Sequence, residues 1–336
     1  MRGIADWLKP WLATSESIAL ATVVQASGSS PRPVGSKMAV TASGQVAGSI
    51  SGGCVEGAVI EEAQGVLASG RPRLVHYGIA NETAWEVGLA CGGKIDVYIE
   101  PWDAVHTTAL NQTEVGFSFG LATRLGGGHL LAWPDGRQIG DPSLVAQIMP
   151  LFPGPAAELH ELADGQVFLE VSTPPATLVI VGAVHAAITL VRIAQVLGFR
   201  TQVLDPRRMF ATRERFPTVD ELTLAWPQDG LRAEQLGPQH YVVILSHDPK
   251  FDLPALEIAL QSHAAYVGLI GARFTQADRR QALREAGFSD EALSRIHGPI
   301  GLDLGGRRPE EIALAIMAEI VAVIHGRSGG SLRART

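Results

Sequence analysis

The second half of the chain alternates short apolar runs with helical patterns, and this alternation restricts the fold more than any other feature. Thr177-Leu178-Val179-Ile180-Val181 is β-branched and apolar throughout and stops at Gly182, as a strand buried on both faces of a parallel sheet does. A helical stretch follows through Leu197 and is stopped by Gly198. Arg200 to Leu204 reads as a second strand ending at Asp205, and Tyr241 to Leu245 and Ala265 to Ile270 as two more. A last helix over Pro309 to Ile324 opens on a proline, which is pre-organised for the first turn. Repeated strand–helix units predict a doubly wound parallel sheet, a Rossmann-like α/β domain.

The first half has a different texture, β-rich with a degenerate internal repeat. Leu20-Ala21-Thr22 recurs as Leu121-Ala122-Thr123, the Gly44 to Gly48 stretch as Gly136 to Gly140, and Val97-Tyr98-Ile99-Glu100 as Val167-Phe168-Leu169-Glu170, in the same order. Two related units in one domain are expected, over residues 1–173, with the α/β domain over 174–336. Ser172-Thr173-Pro174-Pro175 makes a polar, proline-stiffened joint. Between the first two landmarks the first copy is nine residues longer, and the surplus matches Ser29 to Lys37. Scaffold is what both copies share, so this insertion is a candidate for function.

Composition closes off several classes. The 336 residues carry a net charge of −7, which leaves no basic footprint for nucleic acid. No apolar run reaches membrane-spanning length, and the N-terminus lacks the apolar core of a signal peptide. Two cysteines in a chain of this length do not form a disulfide framework, and the expectation is a cytoplasmic protein.

Those two cysteines each lie beside a glycine pair, in Ser51-Gly52-Gly53-Cys54-Val55-Glu56 and Ala90-Cys91-Gly92-Gly93. Glycines are used where a turn or a close approach requires them, so both thiols are candidates for reactive groups. A small buried hydrophobe and a Cys54–Cys91 disulfide are the alternatives. Cys54 precedes a helix expected over Val55 to Ala68, whose positive end favours a thiolate. The amides of Gly52 and Gly53 would cradle an anion such as phosphate. Glu56 in the first turn either complements the dipole or contacts the ligand. Arg32 and Lys37, on the surplus loop among prolines and glycine, suit a phosphate-bearing ligand or form a solvated turn.

In the α/β domain, Gly182-Ala183-Val184-His185-Ala186-Ala187 sits where a dinucleotide fingerprint belongs, with Asp205 placed to hold a ribose. Val184 stands where a second glycine would let pyrophosphate approach, and Ala187 replaces the third. The stretch supports the fold more than a bound nucleotide. Ser246-His247-Asp248 follows a strand, where ligands of such sheets bind, although Asp248-Pro249 also suits a helix cap.

Stretches along nearly the whole chain resemble the XdhC/CoxI family, maturation factors for molybdenum hydroxylases such as xanthine dehydrogenase. They are Gly28-Ser29-Ser30-Pro31-Arg32-Pro33, Gly48 to Glu56, Glu86 to Gly93, Tyr266 to Arg273 and His297 to Gly305. The resemblance implies an accessory factor that binds molybdenum cofactor (molybdopterin) and assists its sulfuration. It also implies delivery of the cofactor to a hydroxylase apo-enzyme, with sulfur drawn from a cysteine desulfurase partner. Cys54 and Cys91 would be the reactive thiols. Arg32, Lys37, Gly52, Gly53 and Glu56, with Gly182, His185, Asp205, His247 and Asp248, would bind the cofactor. A homodimer is expected, as the commonest oligomer. The family commonly shows Gly-x-Gly-His where this chain has Gly182-Ala183-Val184-His185, which argues against NAD and against the alternative of a dinucleotide-dependent oxidoreductase.

Overall fold

The computed structural model describes residues 1–28, 32–78, 93–151 and 157–334. It divides into two compact units, Met1–Pro174 and Pro175–Thr336. Among the described residues no helix is long and apolar enough to cross a membrane.

The first unit is one arrangement used twice. The first copy runs α1 (Ala5–Ala13), β1 (Ile18–Ser27), β2 (Lys37–Thr41), β3 (Val46–Gly48), α2 (Glu56–Ser69), β4 (Arg73–Tyr77) and β5 (Lys94–Pro101). The second runs α3 (Ala104–Val115), β6 (Phe119–Arg124), β7 (His129–Ala132), β8 (Gln138–Gly140), α4 (Val145–Ile148), β9 (Ala157–Leu162) and β10 (Gly165–Ser172). The antiparallel sheets have orders β3-β2-β1-β5-β4 and β8-β7-β6-β10-β9, the same topology. Register fixes the correspondence residue by residue. Leu20 faces Glu100 as Leu121 faces Glu170, and Thr22 faces Lys37 as Thr123 faces His129.

Alternation along the strands explains the layers. In β1, Ala19, Ala21 and Val23 pack with Val59, Ala63 and Val66 of α2, while Ile18 and Leu20 pack with Leu8 and Trp11 of α1. Period-two side chains thus cover both faces of the sheet with one helix each. The second sheet repeats this, with Leu144 and Ile148 on one face and Ala109 of α3 on the other. Val24, Tyr98 and Phe168 form a small shared core drawn from both copies.

The second unit contains β11 (Thr177–Val181), α5 (His185–Val196), β12 (Arg200–Leu204), β13 (Glu221–Thr223), α6 (Pro227–Gly230) and β14 (His240–Ile244). It continues with α7 (Pro249–Gln261), β15 (Tyr266–Leu269), α8 (Arg273–Glu285), α9 (Asp290–Ser294), β16 (Ile296–His297) and α10 (Pro309–Ile324). The strands form one sheet, ordered β13-β12-β11-β14-β15-β16 and parallel throughout. This is the doubly wound Rossmann order, with its switch point between β11 and β14. Leu178 and Ile180 face α5 and α10, and Val179 and Val181 face α7. The apolar run of β11 is therefore continuous because both faces are covered.

Candidate functional site

The loop between β3 and α2 presents Cys54 to solvent. Ile50 and Val55 are buried anchors on either side, while Gly52, Gly53 and Cys54 between them are exposed. The loop is held from inside by Glu56, the first residue of α2. Its carboxylate accepts from Ser49 Oγ at 2.8 Å, from the Ser51 N–H at 2.9 Å, from the Gly53 N–H at 2.8 Å, and from Ser51 Oγ. Desolvation by itself would raise this carboxyl, but the hydrogen bonds from Ser51 and Ser49 outweigh it and hold it at about 2. The helix thus supplies its own anion at its positive end.

This arrangement corrects the phosphate cradle expected there. The Gly53 amide donates to Glu56, and the Gly52 amide to Ser49 Oγ at 3.1 Å. Glu56 itself is turned into its own loop. The helix also begins one residue later than expected, so Val55 is its N-cap and Cys54 precedes the cap.

Of the two cations, one reaches the loop and one does not. Arg32 is exposed, and its Nε donates to the Ser49 carbonyl at 3.3 Å, beside the Cys54 loop. Lys37 is buried, and its Nζ donates to Thr22 Oγ1 at 3.0 Å and to Glu170 at 2.8 Å. It is a strut between the two copies, its ammonium engaged by Thr22 and Glu170. Since Lys37 corresponds to His129, the surplus lies within residues 23–36, and Lys37 belongs to the shared scaffold. Cys91 lies outside the described residues.

A second constellation carries no motif that marks it along the chain. Glu100 at the end of β5, His106 in α3 and His129 at the start of β7 are all buried. Glu100 Oε1 lies 3.2 Å from His106 Nε2, and Oε2 lies 2.8 Å from His129 Nε2. Asp103, the N-cap of α3, sits opposite, 2.8 Å from His106 Nδ1 and 3.0 Å from His129 Nδ1. Desolvation opposes charge on His129, yet the hydrogen bonds to Asp103 and Glu100 prevail and raise it to about 9. His106 is raised and Glu100 lowered by the same balance. The repeat carried the signal. Extending the match of Glu100 with Glu170 to the second strands pairs Lys37 with His129, so each glutamate meets a cationic side chain of the other copy.

In the second unit the carboxyl edge of the sheet brings together Gly182, His185, Asp205, His247 and Asp248. Asp205 is fully buried, and its oxygens are taken. Oδ1 accepts from the Arg207 N–H and Nε, both at 2.9 Å, and Oδ2 from Arg207 Nη2 at 2.6 Å and the Ala183 N–H at 2.8 Å. Burial opposes its charge, and the Arg207 hydrogen bonds overcome it, lowering its pKa. A ribose would have to displace that guanidinium. Asp248 caps α7, accepting from the Lys250 N–H at 3.0 Å. Val184 caps α5 and packs against the core where a dinucleotide site needs open backbone. Asp205 is thus engaged by Arg207, and Val184 occupies the position of the fingerprint's second glycine. His185 and His247 remain exposed at the edge, and Asp303 is exposed in an irregular segment.

A duplicated antiparallel unit carrying an exposed cysteine loop, joined in sequence to a Rossmann unit, defines a class of two-part protein. Residues 178–320 match the model described as XdhC Rossmann domain, and residues 11–78 that of the XdhC and CoxI family. The chain belongs to the XdhC/CoxI family. A probable xanthine dehydrogenase subunit of Bacillus subtilis (strain 168) is 27% identical over 328 residues, covering 92% of this chain and 94% of that protein. The molybdenum cofactor insertion chaperone PaoD of Escherichia coli (strain K12) is 27% identical over 315 residues, covering 93% of this chain and 85% of PaoD. A crystal structure described as a xanthine dehydrogenase from Bacillus halodurans superposes with a TM-score of 0.78 at 26% identity, over 98% of each chain.

Proposed function

We propose that this protein binds the molybdenum cofactor and assists its insertion into a molybdenum hydroxylase of the xanthine dehydrogenase type. The exposed Cys54 thiol, presented on a loop tied down by Glu56 and flanked by Arg32, carries the reading. A thiolate is a soft ligand suited to a metal of sulfur-rich chemistry, and a guanidinium suits the cofactor's phosphate. The family membership and the function in PaoD's name support the same reading.

The finer steps rest on the thiol. In sulfuration, the Cys54 thiolate attacks the outer sulfur of a persulfide on a cysteine desulfurase. The desulfurase cysteine leaves as a thiolate, and Cys54 becomes the persulfide. The test is to purify the full chain from a host that makes the cofactor, then measure bound molybdenum and, after oxidative release, pterin fluorescence. Near-stoichiometric molybdenum and pterin that fall at least tenfold in Cys54→Ser are expected. Molybdenum at background in the wild type, or unchanged in Cys54→Ser, overturns the assignment.

A further inference from the structure

The geometry points to a metal site outside the Cys54 loop: we propose that Glu100, His106 and His129 bind one divalent transition-metal ion of the zinc type, with Asp103 orienting both imidazoles. One ligand atom from each of the three residues lies within 4.8 Å of the others. Neighbouring ligands of a tetrahedral zinc ion with bonds of about 2.1 Å are about 3.4 Å apart. The Glu100 oxygens already stand 3.2 and 2.8 Å from the two Nε2 atoms, so a modest opening of the side chains admits the ion.

Three further features separate this cluster from an ordinary ion pair. Asp103 lies on the Nδ1 side of both rings. At His129 a carboxylate that takes the Nδ1 proton leaves Nε2 as the donor lone pair, which is how histidine ligands are oriented around metals; at His106 the Asp103 N–H donates to Nδ1 at 3.2 Å and holds the ring. The ligand set is also not sealed on every side. Glu100, Asp103 and His129 line a pocket that continues past Gly127, Gly128 and Asp141, giving an ion an entry path and a water a fourth position. Two imidazoles, a carboxylate and a water make a recognised zinc set.

The internal repeat supplies the third feature. At the equivalent place in the first copy, Lys37 neutralises Glu170 with one ammonium and donates to Thr22. An ammonium has no lone pair and excludes a metal. The second copy has His129 in that position and adds His106 from α3, so a fixed monovalent cation gives way to ligands that converge on the carboxylate. A bound ion would tie β5 of one copy to α3 and β7 of the other, as Lys37 and Glu170 tie β2 to β10.

The experiment uses the full chain, stripped with a chelator and titrated with Zn2+ alone at pH 7.5 against a competing chromophoric chelator, with Tm followed in parallel. One tight equivalent and a rise in Tm are expected, unchanged in Cys54→Ser and Cys91→Ser. His129→Lys rebuilds the pair of the first copy, so it should fold with a metal-free Tm near wild type while losing the tight equivalent. His106→Asn, an independent variant, should weaken binding at least 100-fold. Co2+ in place of Zn2+ should give visible bands without the near-ultraviolet absorption of a thiolate complex. Absence of saturable Zn2+ binding means the four side chains form only an ion-paired network, and it overturns the proposal. So does full affinity in both histidine variants, or a thiolate band that disappears with either cysteine.

Discussion

Replacing Glu56 by Gln tests whether the Cys54 loop is held by its carboxylate. The amide keeps the shape of the side chain but carries one acceptor oxygen, and its NH2 would face the Gly53 and Ser51 donors that now point at a charge. A carboxyl held at about 2 instead of 4.5 corresponds to about 3 kcal/mol of stabilisation by linkage. Solvent screening at this half-buried position reduces that to about 2 kcal/mol. In a unit of this size the loss lowers Tm by about 6 °C. The sign with pH follows from the direction of the shift. The folded carboxyl titrates below the unfolded one, so its contribution is complete above about pH 5 and is lost as pH falls towards 2. Scanning calorimetry from pH 7 down to 3 should show Glu56→Gln well below wild type at pH 7 and the two curves converging in acid. Hydrogen exchange should quicken at the Ser51 and Gly53 amides. Equal Tm values at pH 7, or two curves that stay parallel to pH 3, would refute the claim that this carboxylate organises the loop.

Lys37→Met leaves the half-buried Glu170 without its partner and should cost about 2 kcal/mol in chemical denaturation. Adding Glu170→Leu should recover most of the loss, and a single variant as stable as wild type would contradict the strut. Calorimetric titration with NAD at millimolar concentration should give no saturable heat. Val184→Gly alone should not restore it, because Arg207 still occupies Asp205; saturable heat in either protein would show that the ion pair yields. Arg279→Met should destabilise the second unit by about 3 kcal/mol, since Asp252 is fully buried and loses its cation. A denaturation midpoint equal to wild type would count against this.

Much of the architecture is legible along the chain because it depends on local periodicity. The continuous run from Thr177 to Val181 announces a strand covered on both faces, and Pro309 to Ile324 marks the last helix at its observed bounds. The order of the repeated Leu-Ala-Thr and Glu100/Glu170 landmarks matches the two sheets of identical topology. An exposed Cys54 follows from glycines on its N-terminal side and a helix after it. What a charged side chain meets depends instead on register and on contacts between elements far apart in sequence. A length difference counts surplus residues but does not say at which end the scaffold resumes, so only the pairing of Thr22 with Lys37 and of Thr123 with His129 shows that Lys37 is shared structure. Glu56 is read correctly as lying in the first turn, yet whether it faces a ligand or its own loop is settled by where the Ser49 to Gly53 backbone turns. Asp205 ends its strand as expected, but Arg207 folds back onto it. Glu100 and His129 come from strands of different sheets and meet in a buried site, where an unpaired charge is too costly to leave, and only the tertiary structure decides which groups converge there.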